Sequence, residues 1–405
     1  GKVSTATAEN VESAITMLQS AWFDWNALGF EKRAEIIETF ADLLEANREE
    51  LIALCSLEAG KTIQDGVDEV REAVDFCRYY AMEAKKYQNE ILFRSATGER
   101  NTLFYSGKGV VACISPWNFP LAIFLGQVVA ALVTGNTVLA KPAEATPMIA
   151  YRAVELLFDA GLPHAVIALL PGDGKILGDL FTKDPRVVGV CFTGSTGTAK
   201  AINRNLAERD GAIPMLIAET GGQNAMFVDS TALPEQVVRD VLQSAFVSAG
   251  QRCSALRVLY LQNEIADRII ELLKGALADY VVGLPFERKT DVSTVIDARA
   301  KAGLMEHIEK LTAAGKLIAQ APESPCQNGF YISPVIFEID SILELEKEQF
   351  GPILHIVRYH RDDLPRLLDE VTRSGYGLTM GIHSRNDTFV NDIVERARIG
   401  NFYVN

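Results

Sequence analysis

The stretch FTGSTGTAKAINRNL, residues 192–206, runs from an apolar, strand-like end through a glycine turn into a segment with helical spacing. Strand, turn and helix in that order form half of a βαβ unit, so a parallel sheet is expected. The alternation extends outward from there. From residue 107 onward VVACIS, NTVLAKP, VIALLPG, VVGVCFTG, IPMLIAETGG and NAMFV are short apolar runs separated by helical patterns. They predict a doubly wound, mainly parallel α/β sheet. One intervening helix is bounded by Thr146 as cap, Pro147 at its first position and Gly161 as a left-handed end. Residues 8–90 differ: in EKRAEIIETFADLLEANREELIALC the apolar positions recur every three or four residues, which predicts a helical layer. RSATGERNTLFYSGKG, residues 94–109, is polar and turn-rich and reads as a protruding hairpin. Past Cys253 a second αβ series runs through LRVLYLQ, a helix at 264–280, KLIAQ, YISPVIFEI, ILHIVRY and NFYVN.

A chain of 405 residues exceeds what one hydrophobic core usually supports, so two domains are expected. The longest apolar run, LAIFLGQVVAALV at 121–133, carries Gly126 and Gln127 and is too short for a bilayer. The opening GKVSTATAENVES has no apolar signal segment, so neither a membrane span nor export is expected. Lys and Arg total 39 against 53 Asp and Glu, a net charge of −14 that repels nucleic acid and anionic lipid. The six cysteines, at 55, 77, 113, 191, 253 and 326, lack the paired spacing of a metal site or disulfide framework. Reduced thiols in a cytoplasm are expected, with no metal.

Polar and glycine residues gather where the predicted strands end, which is where open α/β sheets bind ligands. Gly194 and Ser195 stand near a helix start whose N–H groups can hold a phosphate, and serve equally as turn and cap residues. PGDGKILG at 171–178 reads as an ordinary turn. Lys141 and Glu144 in LAKPAEATP suit a ribose clamp or a solvated charge pair. Glu219, before two glycines in AETGGQN, suits a general base, especially if partly buried, or a helix cap. ISPWNFP at 114–120 places Trp117, Asn118 and Phe119 between two prolines, where packing and turn roles compete with function. In SAGQRCSALRVLY, residues 248–260, one thiol sits among small polar neighbours.

Taken in order, SPWNFP, KPAE, FTGS, ETGG, GQRC and EQFGP resemble the NAD(P)-dependent aldehyde dehydrogenase superfamily over essentially the whole chain. AKPAEATP, IAETGGQNAMFVDSTALPEQVVRDVLQSAF, SAGQRCSALRVL and GPILHIVRY are most similar to the aldehyde-oxidising domain of bifunctional proline utilization A enzymes, which act on L-glutamate γ-semialdehyde. The resemblance implies an NAD-binding Rossmann-like domain of residues 1–94 and 110–221, an oligomerisation hairpin at 95–109, and a catalytic domain of residues 222–405. It makes Cys253 the nucleophile, passing through a thiohemiacetal and a thioester. Asn118 becomes an oxyanion donor with the Cys253 N–H, and Glu219 the base for the deacylating water. Lys141 and Glu144 go to the adenosine ribose and Gly194 and Ser195 to the pyrophosphate region, with Gly174 and Thr193 as further cofactor-binding residues. Glu348 goes to the nicotinamide ribose, with Trp117 and Phe350 lining the channel and Pro116 and Gly221 as further cofactor-binding residues. Glu144 favours NAD over NADP, because a carboxylate repels a 2′-phosphate.

Ser254, Phe119 and Arg252 are the expected substrate residues, Arg252 also as a neighbour able to favour the thiolate. In the family a glycine-rich loop, a second aromatic and a partner-joining strand follow NFYVN, so part of substrate affinity and oligomerisation is expected to rest on residues after Asn405. Expected partners are a small aldehyde, further copies of the chain, and a covalently linked proline dehydrogenase domain. Other readings are a dehydrogenase for another carboxylated semialdehyde such as succinic semialdehyde, an inactive scaffold of this fold, and a Cys-His thiol hydrolase. For the last, His164, His307, His355, His360 and His383 occupy no recognisable motif.

Overall fold

The computed structural model describes residues 3–405, which form two compact units: the chain up to Ala59 with Gly66–Thr220, and Gly60–Asp65 with Gly221–Asn405. The first unit opens with helices Ala8–Ala27, Phe30–Ala46 and Arg48–Ala59 and holds Ile63–Lys85 from Gly66 onward. Their spacing is what the sequence predicts, and in the second helix Ile37, Phe40, Ala41 and Leu44 are all fully buried. A hairpin follows, β1 (Ile91–Phe93) against β2 (Asn101–Leu103), with Ile91 opposite Leu103. It therefore begins before the expected 95–109, and residues 104–109 carry no strand. The polar residues form the turn, where Gly98 has φ +90°, while the apolar ILF makes the first strand.

Five parallel strands make the first sheet: β3 (Val110–Ile114), β4 (Thr137–Lys141), β5 (Ile167–Leu169), β6 (Val187–Gly194) and β7 (Met215–Thr220), in the order β5-β4-β3-β6-β7. Both faces are covered, which explains the continuous apolar runs. Val111 and Cys113 enter one core, and their neighbours Val110, Ala112 and Ile114 enter the other. The chain walks outward from β3 to β5, then returns to the other side of β3, so the winding reverses between β3 and β6. The carboxyl ends of those two strands are the ligand crevice of such sheets. Around this sheet, Thr146 precedes Pro147–Asp159 without a side-chain capping bond, against the expected cap, and its buried hydroxyl has no partner. Gly161 does end that helix in the left-handed region, at φ +95°.

The second unit holds seven strands: β8 (Asn224–Val228), β9 (Leu256–Gln262), β10 (Leu317–Gln320), β11 (Val335–Glu338), β12 (Ile353–Tyr359), β13 (Thr379–His383) and β14 (Asn401–Val404). Their order is β10-β11-β12-β9-β8-β13-β14, and only the β10–β11 pair is antiparallel. The expected helix at 264–280 runs Asn263–Ala278. Asn224 pairs with Leu256, His355 with Val258 and Met380 with Ala225. That register gathers the segments before β8, β9 and β12 at the amino end of the sheet. Gly60–Asp65, expected within the first domain, belongs to this unit. No described helix is long and apolar enough to cross a membrane.

Candidate active site

In the first unit the loop after β3 carries Pro116, Trp117, Asn118 and Phe119, with Asn118 buried and the others partly so. The loop is held at both ends. Ser115 N–H donates to the Lys141 carbonyl at 3.1 Å, and the buried Glu69 Oε1 accepts from the N–H groups of Leu121 and Ala122 at 2.9 and 3.0 Å. At the end of β6, Gln127 Nε2 donates to Thr193 Oγ1 at 2.9 Å. Ser195 caps the helix Thr196–Ala207, its Oγ accepting from Thr198 N–H at 3.2 Å. Glu219, on β7 opposite Thr193, is exposed, not partly buried.

Lys141, at the end of β4, is buried, with Nζ 3.9 Å from Glu144 Oε1. The same oxygen accepts from Gly174 N–H at 2.7 Å, and the Glu144 side chain is 59% exposed. Burial lowers the Lys141 pKa, with Glu144 and Asp173 opposing it. PGDGKILG is more than a turn: Asp173 caps the helix Gly174–Lys183, accepting from Lys175 and Ile176 N–H at 2.9 Å each.

In the second unit Cys253 lies just before β9, partly buried, with its carbonyl accepting from Asn224 Nδ2 at 2.7 Å. Asn224 also donates to the Ala255 carbonyl at 2.9 Å and accepts from Thr379 N–H at 3.2 Å, joining three strands at this edge. Upstream, Ser248, Ala249 and Gly250 take φ values of +56°, +53° and +66°. Two non-glycine residues in that region cost roughly 1–2 kcal/mol each, so the turn needs support. The buried Lys61 Nζ donates to Ser248 Oγ at 3.3 Å, and Asp65 Oδ1 lies 3.8 Å from Arg252 Nη2.

Glu348 and Phe350, in the loop before β12, meet the same edge. Arg257 Nη2 lies 3.2 Å from Glu348 Oε1, and a Cβ on Gly221 would overlap Glu348 Oε2. Burial pushes the Glu348 carboxyl up, more than Arg257 and the Gly222 N–H pull it down. Burial likewise lowers the Arg257 pKa, opposed by Glu348 and by Cys253. Ser254 and Arg252 line a cavity of ≈ 370 Å³ with Asp240, Gln243, Ser244 and His383. There His383 Nε2 lies 3.4 Å from Asp240 Oδ2.

The expected site residues thus form one group in each unit: Pro116 to Phe119, Lys141, Glu144, Gly174, Thr193 to Ser195 and Glu219 in the first, Gly221, Arg252 to Ser254, Glu348 and Phe350 in the second. Sequence reading missed Lys61, Asp65, Asn224 and Arg257. Asn224 sits at the polar start of an apolar run, a signal that was present, whereas Arg257 inside LRVLYLQ reads as a surface residue and Lys61 and Asp65 lie in a stretch of helical spacing with no such signal. No cluster of three or more metal-ligating side chains occurs among the described residues.

A profile described as the aldehyde dehydrogenase family matches residues 1–405. The bifunctional protein PutA of Escherichia coli is 47% identical over 416 residues, which cover 100% of this chain and 30% of that protein. The chain therefore spans under a third of such relatives. The 1-pyrroline-5-carboxylate dehydrogenase of Anoxybacillus flavithermus is 37% identical over 414 residues, covering 100% of this chain and 79% of its own length. Among solved structures, 1-pyrroline-5-carboxylate dehydrogenase from Thermus with bound NAD superposes with a TM-score of 0.92 at 29% identity, covering 99% of this chain and 78% of that one.

Proposed function

The chain belongs to the aldehyde dehydrogenase family, and from that premise we propose that it oxidises L-glutamate γ-semialdehyde to L-glutamate with NAD, the second step of proline catabolism. What carries the reading is the partly buried Cys253 on a loop braced by Asn224 and Arg257, within a chain similar throughout to 1-pyrroline-5-carboxylate dehydrogenases.

Cys253 Sγ, as thiolate, attacks the aldehyde carbon and forms a thiohemiacetal. NAD, when bound, supplies the hydride acceptor. Loss of hydride leaves a thioester on Cys253, and Glu219, open to solvent, takes the proton of the water that cleaves it. The Asn118 amide and the Cys253 N–H donate to the oxyanion in both tetrahedral stages, each such donor being worth about 2.7–4 kcal/mol. Arg252 and Ser254, in the wall of the ≈ 370 Å³ cavity, provide a cation and a hydroxyl for the substrate carboxylate, and Phe119 flanks its aliphatic chain.

The donor set fits a dinucleotide. Glu144 keeps one carboxylate oxygen for ribose hydroxyls beside Lys141, and Ser195 opens a helix at the carboxyl end of β6, where N–H groups suit a pyrophosphate. Thr193, Gly194 and Gly174 border these groups. Pro116, Trp117, Gly221, Glu348 and Phe350 complete the nicotinamide side of the reading. A carboxylate at Glu144 favours NAD over NADP.

Residues Ile91, Leu92, Phe93 and Phe104 on and beside the hairpin are 48, 67, 52 and 65% exposed, which supports self-association through it. The likeness to a bifunctional protein supports a proline-oxidising domain on the same polypeptide. In this reading the six cysteines are reduced thiols in a cytoplasm.

The test is NADH formation with L-glutamate γ-semialdehyde and with succinic semialdehyde, beside Cys253→Ala. Faster turnover of the glutamate semialdehyde, abolished by the substitution, supports the assignment. Preference for succinic semialdehyde would change the substrate and keep the chemistry.

A further inference from the structure

Arg257 stands near the start of β9, four residues after the nucleophile, and only 1% of it is exposed. Its guanidinium offers five N–H groups in a fixed plane. Nη1 donates to the carbonyls of Gly250 and Gly351 at 2.7 and 3.1 Å. Nη2 donates to the Arg252 carbonyl at 3.0 Å and to Glu348 Oε1 at 3.2 Å. The fifth group, on Nε, has no acceptor. The carbon of the guanidinium lies 5.3 Å from the centre of the Phe350 ring.

These partners belong to two loops far apart in sequence. Gly250 and Arg252 lie on the turn that leads into Cys253, while Glu348, Phe350 and Gly351 lie on the loop before β12. A buried cation costs several kcal/mol in lost hydration, and apolar side chains of like volume often replace one at little loss of stability. Stability alone is therefore a poor reason for it. Its surroundings give a better one: the two groups whose negative charge raises its pKa are Glu348 and Cys253.

We propose that Arg257 is the positioning residue of this site, setting the Cys253 turn and the Glu348 loop in one geometry and supplying the cation that favours the thiolate. The functional value of both loops rests on the dehydrogenase reading, whereas the contacts do not. One consequence separates this from simple packing. Removing charge and donor fork together moves both thiol reactivity and cofactor affinity, whereas keeping the charge without the fork moves cofactor affinity alone.

The experiment follows the pH dependence of Cys253 alkylation by iodoacetamide, by peptide mass, in the full chain and in Arg257→Met and Arg257→Lys, with NAD affinity by calorimetry and folding by thermal melts. Arg257→Met should move the alkylation midpoint up by about one pH unit and weaken NAD binding roughly tenfold. Arg257→Lys should restore the midpoint, because the charge remains, but not NAD affinity, because an ammonium cannot bridge four acceptors. An unmoved midpoint in folded Arg257→Met overturns the proposal, as does identical behaviour of the two variants. Failure of both to fold would assign Arg257 a purely structural role. Should the unaltered chain oxidise no aldehyde, the dehydrogenase reading falls while alkylation still decides the role of Arg257.

Discussion

His307 and His355 share one proton-bearing contact: their Nε2 atoms lie 2.9 Å apart, with His355 fully buried and its Nδ1 3.0 Å from the Arg257 carbonyl. A carbonyl only accepts, so His355 carries its proton on Nδ1, and His307 Nε2–H donates to the bare His355 Nε2. Burial pushes His355 down to about 3, with His307 and Arg257 adding to it and the Arg257 carbonyl and Glu344 opposing. It pushes His307 down to about 4, helped by Lys310 and Lys347. The unfolded chain therefore takes up protons near pH 6.5 and the folded chain does not. Stability from this pair is complete above that pH and falls as pH drops toward 4, by about 1.4 kcal/mol per pH unit for each histidine. Urea titrations at pH 7, 5.5 and 4.5 measure it. His355→Asn should flatten the slope, and an unchanged slope would contradict the assignment.

Asn118→Ala should lower kcat by about 100- to 1,000-fold while KM changes little, since the amide is used when the oxyanion forms. Steady-state kinetics beside a thermal melt separates this from a folding defect. A fall confined to KM would remove Asn118 from the oxyanion site.

Adjacent residues in the Cys253 turn should respond differently to substitution. Gly250 has φ +66°, and a Cβ there would overlap the Gly351 carbonyl, so Gly250→Ala adds left-handed strain of roughly 1–2 kcal/mol to a collision. Ala249→Gly relieves strain of that size but loses a buried methyl, about 0.8 kcal/mol, and gains chain entropy in the unfolded state, about 0.5–1 kcal/mol. Its stability should match the parent within about half a kcal/mol, whereas Gly250→Ala should melt well below it.

Replacing Glu144 by Ser removes the carboxylate that repels a 2′-phosphate. The ratio of kcat/KM with NADP to that with NAD should rise at least roughly tenfold, and an unchanged ratio would place cofactor choice elsewhere.

The layered fold was legible because burial leaves a local record. Val111 and Cys113 alternate with Val110 and Ala112 between two cores, and the strand shows it as a run of apolar residues. The positions of Cys253, Lys141 and Ser195 were legible for the same reason, since polar residues at strand ends interrupt that record. Arg257 was not, because an arginine inside LRVLYLQ looks like a surface residue until the loop before β12 closes over it. The histidine pair needed the β9–β12 register and a helix from a third place in the chain. Arg252, adjacent to the thiol, drew attention as its cation, while the contacts that brace the turn come from Arg257.

The assignment of Gly60–Asp65 to the second unit sets a timetable for synthesis. Lys61 meets Ser248 across 187 residues of chain, a separation that makes loop closure a late event. At ribosomal speeds of roughly 5–20 residues per second, the six-residue segment waits on the order of ten to forty seconds for its partners to be made. A nascent chain stalled near residue 230 would hold this segment unmatched, as a handle for chaperones or proteases, and residues 221–405 expressed alone would lack the lysine that braces the turn before the thiol. Two-piece complementation should therefore succeed only when the break leaves 60–65 free to reach the second half.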